Sequence, residues 1–385
     1  MRNFFERQHS SDWDKRGFTR RDFGRIAMLM TAGAALPFYN EPALAQDLKA
    51  IASVPPDAVR LNANENPMGP CPAAIEAIGR VVPQGGRYLF DQTRAFVETL
   101  ASVEGLPSSH ILPSAGSSDP LHRTVLAFTS PRRPLVIADP GYEAPNRAAA
   151  FIGAKVIQVP LRKDFSHDAQ AMAKADPDAG VIYICNPNNP TGTVTRPEDI
   201  AFIVANKPKD CVVLIDEAYI HFSATASPGI EFVTAGKDVI VLRTFSKLYG
   251  MAGLRAGAAL GRPDLLEKLH GYSGPAMLPC TGMAGATASL KEKDLVPQRR
   301  QLMAGIRADL FAWLDKKGYA YIPSDANMVL IDSKRPGKET ATAMLAYKVA
   351  IGRSWAALPN HVRVTIGTRD EMARFKDAFE RVMAS

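Results

Sequence analysis

Cysteine is scarce in this 385-residue chain: Cys71, Cys185, Cys211 and Cys280 stand far apart and form no Cys-x-x-Cys pair. Such spacing indicates neither a zinc cage nor a disulfide framework, and no metal site is expected. Long apolar runs are missing too, since none reaches the ~20 residues that a membrane-spanning helix needs. Charge does not gather in blocks: 46 Lys and Arg against 39 Asp and Glu leave a scattered net +7, which does not point to nucleic acid as a partner. The phosphate loop GxxxxGK[ST], GxGxxG, HExxH and GxSxG are all absent, which removes the signatures of nucleotide hydrolases, dinucleotide enzymes, zinc proteases and α/β-hydrolases. Val212–Glu217 could pass for a magnesium-binding strand, but its companion loop is missing. What remains, at 46% hydrophobic and 22% charged residues, is the composition of a globular enzyme long enough for two or three domains.

The first 45 residues read differently from the rest. Thr19-Arg-Arg-Asp-Phe-Gly-Arg25, the weakly apolar Ile26–Leu36 and Ala43-Leu-Ala45 follow the charged, apolar and small-residue order of a secretory segment. The arginine pair resembles a twin-arginine export signal, with Arg25 where lysine is usual. Cleavage after Ala45 is expected, giving a periplasmic or otherwise exported enzyme that has met the twin-arginine machinery.

From Ala95 onward strand-like and helix-like stretches alternate, the mark of a helix-covered parallel sheet. The apolar runs Leu135–Ala138, Val181–Ile184, Val212–Ile215 and Val239–Leu242 read as buried strands. Polar and turn residues follow each of them: Asp139-Pro-Gly-Tyr142, Cys185-Asn-Pro-Asn-Asn-Pro-Thr-Gly192, Asp216-Glu-Ala-Tyr219 and Arg243-Thr-Phe-Ser-Lys247. That carboxyl edge is where open α/β sheets bind ligands. Ser117-Ser-Asp-Pro120 predicts a helix start, with serine and aspartate capping and proline at the first helical position, and such an N-terminus can hold a phosphate. After about residue 295 a helix around Leu302–Leu314 stopped by Gly318, strands at 319–322, 328–331 and 362–366, and helices near 338–350 and 369–384 predict a smaller α+β unit.

Leu61-Asn-Ala-Asn-Glu-Asn-Pro67, Asn188-Asn-Pro-Thr-Gly192, Asp216-Glu-Ala-Tyr219, Ser246-Lys247 with Gly253-Leu-Arg255, and Val362-Arg-Val364 occur in this order. The series resembles the class I/II aminotransferases of pyridoxal-phosphate fold type I, most closely the histidinol-phosphate aminotransferase branch, over about residues 58–385. The resemblance implies a large domain with a mostly parallel seven-stranded sheet, a small domain built from both chain ends, and a homodimer. On this chain that gives an export segment at 1–45, an N-terminal arm of the small domain at 46–84, a large domain at 85–294 and the rest of the small domain at 295–385.

The resemblance also assigns roles. Lys247 is the amine that binds the aldehyde of pyridoxal 5'-phosphate and afterwards moves the substrate's Cα proton. Asp216 keeps the pyridine nitrogen protonated, Asn189 and Tyr219 bond the phenolic oxygen, and Tyr142 stacks on the ring. Ser117, Ser118, Ser246 and Arg255 hold the phosphate. Arg363 clamps the substrate α-carboxylate, and Asn64 and Arg353 complete the substrate-binding candidates. Two positions depart from the family pattern: Met68 where tyrosine usually reaches the phosphate across the dimer, and Leu89-Phe90 where proline usually follows tyrosine. The implied reaction moves an amino group between an amino acid or related amine and a 2-oxo acid. Decarboxylation or β-elimination on the same site, and a non-catalytic binding role, are the alternatives. Histidinol phosphate is a cytoplasmic intermediate, so an exported enzyme is expected to use another donor.

Overall fold

The computed structural model describes residues 15–31, 54–272 and 278–384. At its centre are β2 (Ile111–Ser114), β3 (Leu135–Asp139), β4 (Val156–Pro160), β5 (Val181–Cys185), β6 (Val212–Asp216), β7 (Val239–Thr244) and β8 (Gly257–Gly261). They form a seven-stranded sheet in the order β2-β8-β7-β6-β5-β3-β4. Only β8 is antiparallel to its neighbours. Strands β5 to β8 are buried at every position, which is why they appear in sequence as unbroken apolar runs and not as alternations. Each of the four strands foreseen in sequence runs one or two residues further at its carboxyl end. Asp216 illustrates the cause: it still pairs in register with Cys185 of β5 and Leu242 of β7, so a polar residue closes an apolar strand without leaving the ladder.

The C-terminal part carries β9 (Tyr321–Ile322), β10 (Met328–Asp332), β11 (Val349–Ile351) and β12 (His361–Thr365). β12, β10 and β9 make an antiparallel sheet, while β11 pairs in parallel with β1 (Val59–Leu61). The two ends of the chain are thus joined by hydrogen bonds. The long helix Leu295–Lys317 leads into this part. It stops at Gly318 (φ +71°), where the amide of Gly318 donates to Asp315 O and that of Tyr319 to Leu314 O. This cap uses the amide of Tyr319, so the strand foreseen at 319–322 starts only at Tyr321.

The segment with the arginine pair forms a helix, Arg20–Thr31. Thr19 and Asp22 cap it reciprocally, with Thr19 N and Oγ1 donating to Asp22 Oδ2 at 2.8 and 2.6 Å. Phe18 is buried, and Arg16 Nη2 donates to Leu126 O and Thr129 O at 2.8 and 2.9 Å, at the last turn and C-cap of helix Ser118–Phe128. Arg25 reaches Ala150 O and Phe151 O at 3.3 Å, at the end of helix Ala144–Ile152. Both arginines therefore sit where helix carbonyls concentrate negative potential, while Arg20 and Arg21 face solvent. The expected cleavage position, Ala45, lies outside the described residues. Losing two or three such hydrogen bonds and a buried ring removes about 3 kcal/mol of docking. The double variant Arg16→Ala/Phe18→Ala should accordingly be cut by trypsin after Arg20 and Arg21 about 100-fold faster, read by mass spectrometry under native conditions. Equal rates would mean that nothing holds the segment.

Candidate active site

Strands β5, β6 and β7 end side by side, and their carboxyl ends wall a cavity of about 250 Å³. Lys247 comes three residues after β7 and is 8% exposed; its Nζ donates to Ala63 O at 3.3 Å and stands 5.7 Å from the centroid of the Tyr219 ring. Asp216, the last residue of β6, is 3% exposed. Its Oδ2 accepts from the Tyr183 hydroxyl at 2.9 Å and its Oδ1 from the Ala218 amide at 3.1 Å. Burial pushes the Asp216 carboxyl up from an ordinary 3.8 to about 6, against the pull of these two bonds and of Lys247. Burial, and then the Asp216 charge, hold the Tyr183 phenol well above its ordinary range, so it remains a donor.

Behind these groups Arg243 of β7 ties the strand ends together. Its guanidinium pairs with Glu217, the neighbour of Asp216, and with Glu104 through Nε at 2.6 Å and Nη2 at 3.1 Å. All three side chains are removed from bulk water, and losing one partner of such a group leaves a buried charge exposed to its neighbours.

The opposite wall is built to receive an anion. Helix Ser118–Phe128 points its N-terminus at the cavity, and neither serine side chain caps it. This differs from the capped start foreseen in sequence. Pro120 is the third helical residue, and Asp119 turns away to hold Arg123 through two bonds of 2.8 and 2.6 Å. Arg255, in the left-handed region at φ 55°, sends Nη1 to Ser246 Oγ (3.4 Å) and Ala252 O (2.8 Å) and Nη2 to Ala115 O (2.9 Å). Two glycines make this approach feasible. A Cβ on Gly116 would lie 2.3 Å from Arg255 Nη2, and one on Gly257 would lie 2.8 Å from the Ser117 amide. Helix N–H groups, three serines and a guanidinium on a glycine-lined floor match a phosphate dianion. Together with an amine and a buried carboxylate across the same cavity, they suit pyridoxal phosphate.

Every cofactor-binding candidate lines this one cavity: Ser117, Ser118, Tyr142, Asn189, Asp216, Tyr219, Ser246, Lys247 and Arg255. Arg363 and Asn64 lie one side chain further back. Arg363 is fully buried, with Nη1 on Asn189 Oδ1 at 2.9 Å and Nη2 on Asn62 O at 2.8 Å. The amides of Asn189 and Asn64 donate to the Tyr219 hydroxyl at 3.3 and 3.0 Å. Arg353 does not line the cavity; it pairs with Glu143. Met68 faces a separate apolar cavity with Leu302, Met303 and Ile306. Sequence reasoning missed Tyr183, Cys185 and Glu65. A tyrosine interrupting an apolar strand was the available signal for the first two, because period two places Tyr183 and Cys185 on one face beside Asp216.

Among the described residues no group of His, Cys, Asp or Glu could hold a metal, and no helix is long and apolar enough to cross a membrane. Residues 56–379 match the family described as aminotransferase class I and II. A histidinol-phosphate aminotransferase of Symbiobacterium thermophilum is 34% identical over 85% of this chain and 91% of its own. An aromatic amino acid aminotransferase of Cutibacterium acnes is 32% identical over 85% and 93%. The crystal structure of a histidinol-phosphate aminotransferase from Sinorhizobium meliloti in complex with pyridoxal-5'-phosphate superposes with a TM-score of 0.78 at 26% identity, covering 85% of this chain and 91% of that one. With this extent of match and a cavity suited to the cofactor, the chain belongs to the class I and II aminotransferases, pyridoxal-phosphate-dependent transaminases of fold type I.

Proposed function

We propose that this enzyme moves the amino group of an amino acid or amino-acid-like amine, and not that of histidinol phosphate, to a 2-oxo acid, working as an exported homodimer. The observation that carries the reading is the meeting of Lys247, Asp216 and the Tyr219–Asn189–Arg363 chain of hydrogen bonds at one cavity. When bound, pyridoxal phosphate supplies an aldehyde to carry the amino group and a ring to draw electrons from Cα. Lys247, nearly buried in the cavity wall, would hold the cofactor and then take the Cα proton on Nζ. Asp216 would hold a proton on the ring nitrogen. Tyr219 and Asn189 would bond the phenolic oxygen, Tyr142 would pack on the ring, and Ser117, Ser118, Ser246 and Arg255 would take the phosphate. Arg363 orients the substrate by its α-carboxylate, with Asn64 fixing Tyr219 beside it.

Export is supported by the exposed Arg20-Arg21 pair, on a route that carries folded proteins and so permits cofactor loading beforehand. A dimer is supported by Ile75, Val82, Tyr88 and Phe90, large apolar residues exposed along one short stretch. Steady-state assays of purified enzyme with a panel of amino donors and 2-oxoglutarate test the function; turnover of histidinol phosphate alone would defeat it. Arg363→Lys trades a two-pronged contact for a point charge, so KM for amino acids should rise about 10- to 100-fold while kcat changes less. An unchanged KM would remove Arg363 from the carboxylate site.

A further inference from the structure

Asp216 is held on both of its oxygens, by donors of different kinds. Oδ1 accepts from the Ala218 amide at 3.1 Å, a bond within its own turn. Oδ2 accepts from the Tyr183 hydroxyl at 2.9 Å, a bond that comes from the neighbouring strand. Tyr183 pairs in register with Leu214, two residues before Asp216 on β6, so its side chain reaches along the sheet over about 7 Å of strand. A phenol spans that distance; a serine or threonine hydroxyl does not. Tyr183 is 3% exposed within the fully buried β5, so the bond forms away from bulk water, where it is strongest. The neighbouring Glu217 shows what a charged partner does instead, since Arg243 pairs with it and offsets its charge. A neutral phenol fixes a carboxylate and leaves the charge in place.

We propose that Tyr183 is a positioning residue for the transamination: its hydroxyl holds the Asp216 carboxylate in one orientation, so that the negative charge meets the pyridine nitrogen of the bound cofactor. Asp216 can swing about its side-chain bonds only by breaking both hydrogen bonds, and a carboxylate that need not reorganise stabilises a ring proton best. Tyr183 also sets the pH range in which that charge exists. Burial drives the Asp216 carboxyl up to about 6, and the Tyr183 bond is the largest influence opposing it, ahead of the Ala218 amide and Lys247. Around the same cavity stand Glu65 after β1, Tyr142 after β3, Cys185 at the end of β5, Tyr219 after β6, Lys247 after β7 and Arg255 before β8. A change confined to the Tyr183 hydroxyl leaves all of these groups in place. The phenol moves no proton in the reaction; it acts through Asp216.

This inference rests on the reading that Asp216 faces the ring nitrogen. Tyr183→Phe removes the hydroxyl and keeps the ring, and Tyr183→Leu removes both. In the cofactor-free full chain, the infrared band of the protonated Asp216 carboxyl, identified by its loss in Asp216→Asn, should titrate about one pH unit higher in both variants than in the wild type. The pH below which cofactor uptake weakens should rise by the same step. In the loaded enzyme, kcat for the best donor of the panel should fall about 10-fold while KM changes by less than about twofold. In an Asp216→Asn background, Tyr183→Phe should leave kcat unchanged, because the group it acts through is gone. A residue that only fills space would lower the melting temperature alike at every pH and leave the carboxyl band where it is. An unmoved band in Tyr183→Phe and Tyr183→Leu, or an equal fall of kcat in the Asp216→Asn background, would overturn the proposal. A near-normal kcat in Asp216→Asn alone would overturn the ring-nitrogen reading and this proposal with it, a result distinct from an unmoved band.

Discussion

Replacing Lys247 with alanine should lower kcat by about 10⁴-fold or more and leave the fold intact. Among the described residues the side chain gives up a hydrogen bond to Ala63 O and a cation–ring contact with Tyr219. Those contacts amount to about 1–2 kcal/mol, so the melting temperature should move by only a few degrees. Chemically it gives up everything that holds the aldehyde and carries the proton. Borohydride treatment followed by peptide mass analysis separates the two effects. The wild type should carry the cofactor's mass on residue 247, and the variant should carry it nowhere. Lys247→Arg should be equally inactive, because a guanidinium does not give up its proton near neutral pH and cannot serve as a base. Substantial activity in either variant, or cofactor trapped at another lysine, would move the reaction centre away from this cavity.

The role of that lysine was readable from the order of motifs along the chain, and the sheet edge it stands on from local context. A fully buried strand followed at once by turn and polar residues announces the carboxyl edge of a parallel sheet, and β5, β6 and β7 all carry this signature. Four of the seven strands, β3, β5, β6 and β7, were legible for the same reason, whereas the count of seven came with the family resemblance. Pairings between residues distant in sequence were not. Glu143 meets Arg353 across 210 positions and Arg243 meets Glu104 across 139; no periodicity in the chain announces either. Tyr183 reads as another bulky strand residue until the register sets it beside Asp216. Asp119 shows the opposite failure, since its local sequence favours a cap but a bidentate arginine one turn away outcompetes the capping bond. Arg16 and Arg25 could be read as charge in an export segment. That they cap two helices of the folded body depends on where those helices end.

The carboxylate at 216 gives the second large effect, and it separates the needs of stability from those of catalysis. Its folded-state pKa, about 6, lies above the ordinary 3.8 because burial penalises the charged form. The folded protein therefore holds this proton more tightly than the unfolded chain does. Below about pH 4 both states are protonated and burial costs nothing. Between 4 and 6 the cofactor-free protein loses stability as pH rises, and above 6 the loss is complete at roughly 3 kcal/mol. Asparagine has no charge to bury, so cofactor-free Asp216→Asn should melt higher than cofactor-free wild type at pH 7.5, by an amount matching about 2–3 kcal/mol, and at the same temperature near pH 4. Activity should move the other way. An amide cannot stabilise a proton on the ring nitrogen, and kcat should fall about 10³-fold or more. Cofactor uptake by the wild type should also weaken by up to tenfold for each pH unit below 6, as the carboxylate that must meet the ring becomes protonated. The variant should lack that dependence. A melting difference that ignores pH would show that Asp216 is not the strained acid described here, and an Asp216→Asn enzyme with near-normal kcat would show that its charge does not face the ring.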